Sequence, residues 1–215
     1  DEYLAVANTQ PSRLLLGEKP RLFDEWQDAP KIWGAIRKDV DDKQENGSYI
    51  LTGSTSKQVT TPHTGTQRIS TLKMYPMSLW ESGESSGTVS LNALFENPDA
   101  FEGCHSSLQM DDLIFAICRG GWPRAVNNKT PRAKLAVAKD LFHQISGSDI
   151  SSIDNVRRNS LWAEAILRSY SRNICTLSPK KTIYADVSSE SNIANSTFND
   201  YVEALEKLFI IDDVA

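Results

Sequence analysis

Apolar positions along the chain follow two rhythms. In the first quarter they bunch into short runs, Leu22 and Phe23, then Tyr49, Ile50 and Leu51, each bounded by polar or turn residues. Runs of that length predict strands over 20–25 and 47–56, buried on both faces. Between them Ile32, Ile36 and Val40 recur every fourth residue, with Trp33 and Ala35 widening the stripe. That spacing predicts a helix to about Asp42, with Pro30 near its first position, where a missing N–H costs little. Strand, helix and strand with short links form the right-handed crossover of a parallel sheet. The polar residues after the two strands then lie on one sheet edge. Residues 1–19 are weakly patterned until Leu14, Leu15, Leu16 and Gly17.

A polar loop, Lys57 to Thr66, precedes an alternating segment from Gln67 to Met74 that reads as a third strand. Ser90 is placed to cap a short helix, Leu91 to Phe95, and residues 96–109 read as irregular. Asp111 and Asp112 favour a helix start there, against the positive end of the dipole. That helix runs through Cys118 to Gly120, Gly121, Trp122 and Pro123, strong breakers that suggest a domain boundary. The last third has helical spacing. Helices are predicted over Pro131 to Ile145 and over 157–175, with a short one around Ser191 to Ala194. A longer one is capped by Ser196 and carries Phe198, Tyr201, Val202, Leu205, Leu208 and Phe209. A strand at Ile210, Ile211 and Asp212 would follow. Helix, short helix, longer helix, strand is the outline of a winged helix-turn-helix. The expected fold is therefore an α/β core over 1–123 and a mostly helical, winged-helix-like region over 124–215.

Composition narrows the function classes. The 215 residues are 40% hydrophobic and 24% charged, ordinary for a globular protein, and the net charge of −5 argues against anionic membranes and gives no general reason to expect nucleic acid. No apolar stretch approaches a membrane span. Three scattered cysteines, Cys104, Cys118 and Cys175, make no metal or disulfide pattern and suit a reducing, cytoplasmic setting as small buried residues. His63, His105 and His143 lack ligand spacing. Asp1-Glu2-Tyr3-Leu4 reads like the middle of a domain, and the last residues stop inside an apparent strand, so the chain is expected to be a fragment of something longer.

The chemistry concentrates after the two strands. Asp24 and Glu25 follow the first, and Thr52 and Ser54 follow the second. The carboxyl ends of strands in an open α/β sheet are where ligands bind. In nucleotide hydrolases one acid at this place orients Mg²⁺ and the next positions or deprotonates the attacking water. Each residue also has a plainer reading. Asp24 and Glu25 could open a helix, Thr52 and Ser54 could cap a loop, and Arg68 could be a salt-bridged surface residue.

The runs PRLFDEWQDAPKIWGAIRKDVD, YILTGSTS, HTGTQRI, MYPMSLWESGES and RGGWP, together with the C-terminal helical segment, resemble a family of bacterial and archaeal AAA-type P-loop ATPases. Members join an ATPase core to a winged-helix region of unknown function, often followed by a nuclease-like domain. The resemblance covers nearly the whole chain. It implies a three-layer core using ATP and Mg²⁺, with Asp24 and Glu25 as Walker B acids, Thr52 and Ser54 as the γ-phosphate sensor, and Arg68 as a finger or sensor. Glu81 and Arg119 to Pro123 fall in family signatures that carry no assigned chemistry. One departure is plain: no G-x-x-x-x-G-K-[ST] occurs in these 215 residues. That loop cradles the phosphates and holds Mg²⁺. The fragment is therefore expected to bind ATP poorly, to be inactive alone, and to cover its exposed sheet by self-association or by its N-terminal residues.

The alternative is a binding module on an ATPase-like scaffold. The last long helix shows Asn199, Asp200, Glu203, Glu206 and Lys207 on its polar side, and residues 147–215 hold seven Lys and Arg against ten Asp and Glu. Charge disfavours DNA there and favours protein docking or packing against the ATPase core. Arg157, Arg158, Arg168 and Arg172 could still form a local basic face.

Overall fold

A computed structural model describes residues 2–53 and 68–212. Ser54, His63 and the loop from Lys57 to Thr66 lie outside the described residues. The chain divides into two compact units, one made of residues 1–72 and 146–215 and the other of residues 73–145.

The first unit begins with helix α1, Glu2–Thr9, and a 3₁₀ turn, Pro11–Leu15. Strand β1 (Arg21–Phe23), helix α2 (Lys31–Lys43) and strand β2 (Tyr49–Leu51) follow as a crossover. The strands pair in parallel, Arg21 with Tyr49, Leu22 with Ile50 and Phe23 with Leu51. Ile32 and Ile36 of α2 meet Leu15 in the core, flanked by Phe23, Trp26, Val40, Tyr49 and Leu51. Alternation along a strand sends neighbouring residues to opposite faces. Phe23 and Leu51 thus point to α2, whereas Leu22 and Ile50 stand 59% and 50% exposed. Among the described residues the sheet is covered on one face, not on both as the apolar runs predicted. Leu15 helps close that face, which uses the weakly patterned N-terminal stretch.

The segment expected as a third strand forms none among Arg68 to Met74, and Leu72 and Met74 are exposed. Alternation suffices for a strand only where a neighbouring strand accepts its hydrogen bonds. Among the described residues the sheet therefore has two strands.

The second unit holds helices α3 (Leu91–Glu96), α4 (Met110–Arg119), α5 (Pro123–Val126) and α6 (Pro131–Gln144). Ser90 caps α3 by accepting from the Ala93 N–H, as predicted, and Asp112 accepts from the Gln109 N–H at the start of α4. Gly120 to Pro123 joins α4 to α5 within this unit. Its fully buried apolar residues, among those described, are only Ala116 and Ala125.

The remainder of the first unit is helical: α7 (Ile150–Ser152), α8 (Ser160–Arg172), α9 (Lys180–Glu190) and α10 (Asn195–Lys207). Ala163 and Ile166, Ile183 and Val187, and Phe198, Val202 and Leu205 form their core. The middle helix lies at 180–190 and not at Ser191 to Ala194. Its apolar pair Ile183 and Val187 is only one turn long, too sparse to mark a helix without the packing of α8 against it. Ser196 lies inside α10, whose N-cap is Ala194 without a side-chain bond. The expected strand after α10 is absent: Phe209 turns into the left-handed region and its N–H bonds to Glu206, so the chain curls back. The result is a largely helical chain with a small parallel sheet near its start. Among the described residues no helix is long and apolar enough to cross a membrane.

Candidate functional site

The ladder between the strands runs one step past their ends. The Thr52 N–H donates to Phe23 O at 3.0 Å and the Trp26 N–H donates to Thr52 O at 3.2 Å. Asp24 and Thr52 are thereby held opposite each other at the carboxyl edge of the sheet. The Thr52 hydroxyl donates to Asp24 Oδ1 at 2.5 Å. By strand alternation both fall on the face of Leu22 and Ile50, away from α2. A carboxylate and a hydroxyl at an open strand edge form a hard-oxygen pair. This donor set fits Mg²⁺, which takes one or two protein oxygens and completes its shell from water and phosphate. Among the described residues no cluster of three or more His, Cys, Asp or Glu could hold a metal unaided.

Glu25 is differently placed. Its φ of 49° puts it in the left-handed region, uncommon for a residue with a side chain. The turn is fastened by the Asp28 N–H, which donates to Glu25 O at 2.9 Å. Two residues on, the Gln27 side chain folds back, and its Nε2 donates to the Glu25 carboxylate. Gln27 is 7% exposed, and its Oε1 is buried with no hydrogen-bond partner among the described residues. A Cβ built on Gly53 would stand 2.2 Å from that oxygen. Gly53 therefore leaves the space that the Gln27 amide occupies. Trp26 stacks on Trp33 of α2 with ring centroids 5.0 Å apart, which anchors the turn from the helix side. The sequence reading missed Gln27 and Gly53; the available signal was an amide two positions after the acid pair and a glycine directly after Thr52.

Arg68 is not brought to this edge. Its Nε donates to Asp41 Oδ1 at 2.5 Å, an ion pair on the last turns of α2. At 1.5 Å per residue Asp41 lies about 15 Å along the helix from its start beside the strand ends. The opposite edge of the sheet carries its own polar cluster. Tyr49 donates its hydroxyl to Asp39 at 2.5 Å, Lys43 pairs with Asp39 at 2.9 Å, and the Lys19 ammonium lies 3.6 Å from the centre of the Tyr49 ring. Burial, then the Asp39 carboxylate, pushes the Tyr49 phenol far up, and the Tyr49 hydrogen bond holds Asp39 below the usual carboxylate range. Burial lowers Lys19.

Glu81 and the Arg119 to Pro123 run acquire a structural role in the second unit. Glu81 accepts from the N–H and hydroxyl of Ser78, both at 2.8 Å. Arg119, 3% exposed, grips Glu84 with two bonds of 2.7 and 2.9 Å. That guanidinium holds the Glu84 carboxyl below its ordinary range. The Met77 N–H donates to Gly121 O at 2.6 Å, and a Cβ on Gly121 would strike Met77 O at 2.2 Å, so glycine is required for the two backbones to meet.

Three of the four arginines singled out in the C-terminal region are engaged. Arg158 forms a two-bond pair with Asp154, Arg168 bonds Glu164 at 3.2 Å, and Arg172 bonds Asp186. Cys104, Cys118 and Cys175 are all exposed, which corrects the expectation of buried thiols. Each sits at or near a turn or helix end, outside the packed helix faces.

In comparison with known proteins, residues 2–82 match a family described as AAA domain, and residues 110–215 match a domain of unknown function (DUF8612). The first match supports an AAA-type ATPase-like domain at the start of the chain. No curated protein and no solved structure matches the chain.

Proposed function

We propose that the β1–α2–β2 region is the Walker B side of an ATPase site, in which Asp24 orients Mg²⁺ and Glu25 activates the attacking water. The Thr52 to Asp24 hydrogen bond at the carboxyl edge of the parallel strands carries this reading. Thr52 fixes the rotamer of Asp24 and lies where a strand end would meet a terminal phosphate, with Ser54 two residues beyond. Bound Mg²⁺ and ATP would supply the electrophile and neutralise its charge. The protein's part is to orient one carboxylate for the metal and a second for the water. Arg68, occupied by Asp41 at the far end of α2, is left out of the site. The 215 residues contain no phosphate-binding loop, so the site is only complete with such a loop supplied in addition.

The test is hydrolysis of Mg²⁺·ATP by the full-length protein that carries these residues, comparing wild type with Glu25→Gln and Asp24→Asn. The expected outcome is loss of turnover in Glu25→Gln with nucleotide binding kept, and loss of Mg²⁺-dependent binding in Asp24→Asn. Equal rates in wild type and Glu25→Gln would sink the assignment.

For the helical end, α8, α9 and α10 follow the order of the helical part of a winged helix, and we read them as a protein-docking module. The observation that favours protein over DNA is the pairing of Arg158, Arg168 and Arg172 with acids of the same unit, which leaves little free positive charge for phosphates. Strong, salt-dependent DNA binding that is lost in Arg168→Glu with Arg172→Glu would overturn this part.

A further inference from the structure

We infer that Gln27 is a positioning residue: its buried amide holds the Glu25 carboxylate and so sets where the base of the proposed ATPase site points. The inference rests on Glu25 being that base. Three independent features converge on it. Glu25 sits in the left-handed region, uncommon for a residue with a side chain. Gln27 spends its one N–H₂ group on the Glu25 carboxylate while its carbonyl oxygen, buried, finds no donor among the described residues. Native proteins seldom bury an amide oxygen without a partner, so the side chain is held there by something other than its own hydrogen-bond balance. Gly53, at the end of β2 beside Thr52, leaves the room it occupies: a Cβ there would stand 2.2 Å from Gln27 Oε1, so a larger residue would push the amide aside.

The consequence is a mechanical link between the two strand ends. The residue after Thr52 limits where the Gln27 amide can lie, and the amide limits where Glu25 can lie. A shift of the β2 end, of the kind a bound phosphate would cause there, would thus be passed to the base through one side chain. Gln27 touches no reacting atom in this arrangement; it acts through Glu25.

Two measurements decide the matter. On the 215-residue chain, thermal unfolding is compared for Gln27→Met, Glu25→Met and the double variant. Residues in contact give non-additive effects, so the double variant should melt about 2 °C or more above the sum of the single shifts. Additive shifts overturn the inference, whether or not the protein hydrolyses ATP. In the full-length protein, Gln27→Met and Gly53→Ala should each lower kcat by about tenfold, less than the roughly 10²-fold or more that a general base itself contributes, and leave KM within about twofold. Gln27→Met should add nothing in a Glu25→Met background. A fall in kcat that persists undiminished in that background would show a merely structural role and overturn the inference. Coupled melting with no hydrolysis in wild type would instead refute the ATPase reading and, with it, the role of Gln27 in orienting a base.

Discussion

Removing the Glu84 carboxylate tests whether the second unit depends on an ion pair more than on an apolar core. In Glu84→Ala, Arg119 keeps its charge with its side chain only 4% exposed, and retains one bond, from Nε to Gly120 O. Orphaning one member of a buried pair costs about 3–5 kcal/mol. Glu84 is 25% exposed, so water can partly replace it, and the lower end applies, about 3 kcal/mol. With 2–8 °C of melting shift per kcal/mol for domains of this size range, the unit should melt at least about 6 °C lower. Far-UV circular dichroism read with limited proteolysis of the 73–145 region measures it. The double variant Glu84→Leu with Arg119→Met should lose less than Glu84→Ala alone, because it buries no unpaired charge. The pair also has a pH signature. The folded pKa of Glu84 lies below its ordinary 4.5, so its contribution is complete above that value and is lost as pH falls through the folded pKa. Glu84→Gln should abolish that acid-dependent part. A loss below about 1 kcal/mol in Glu84→Ala, or strictly additive single and double effects, would refute the reasoning.

Other outcomes follow from the same structure. Leu205→Ala, at a position with no exposure in the α7 to α10 core, should cost about 2–5 kcal/mol in chemical denaturation, and a cost under 1 would mean the core repacks freely. Tyr49→Phe removes the hydroxyl bonded to Asp39 but keeps the ring under Lys19, so it should cost about 1 kcal/mol and Tyr49→Ala clearly more. Because the Tyr49 phenol is raised above its ordinary 10.0, its contribution holds below that pH and is lost as pH rises beyond it; Tyr49→Phe should flatten this alkaline limb. Thiol titration of the native protein should find Cys104, Cys118 and Cys175 all reactive without denaturant, and fewer than three would contradict their exposure.

The β1–α2–β2 crossover was legible because each part carries a strong local signal: two apolar runs, and Ile32 and Ile36 one turn apart. The pairing of the two strand ends followed from topology alone, and Thr52 meets Asp24 as that edge predicts. What the pattern could not show was which faces are covered. Leu22 and Ile50 are as apolar as Phe23 and Leu51, and only the position of α2 tells them apart. Helix α9 was hidden because Lys180 to Glu190 carries two buried apolar residues among polar ones, and its stability comes from α8. The strand read from Gln67 to Met74 fails over Arg68 to Met74 for the converse reason, a good local pattern with no neighbouring strand among the described residues. Gln27 looked like one more polar residue after an acid pair. Its significance lies in an unpartnered oxygen and in the missing Cβ of Gly53, and neither is a property of any one residue type.

The clasp between Glu84 and Arg119 joins residues 35 positions apart, and the Met77 to Gly121 bond repeats it on the backbone. Helix α3 and the 3₁₀ turn Pro98–Phe101 lie inside the loop so closed, and α3 shows no buried residue. Once such a loop is tied at its neck, its length matters little: doubling it adds only about 0.6 kcal/mol of closure entropy. The stretch from Ser85 to Gln109 thus has room to grow or shrink over evolution, or to carry a grafted peptide, while the neck holds the rest of the unit in place.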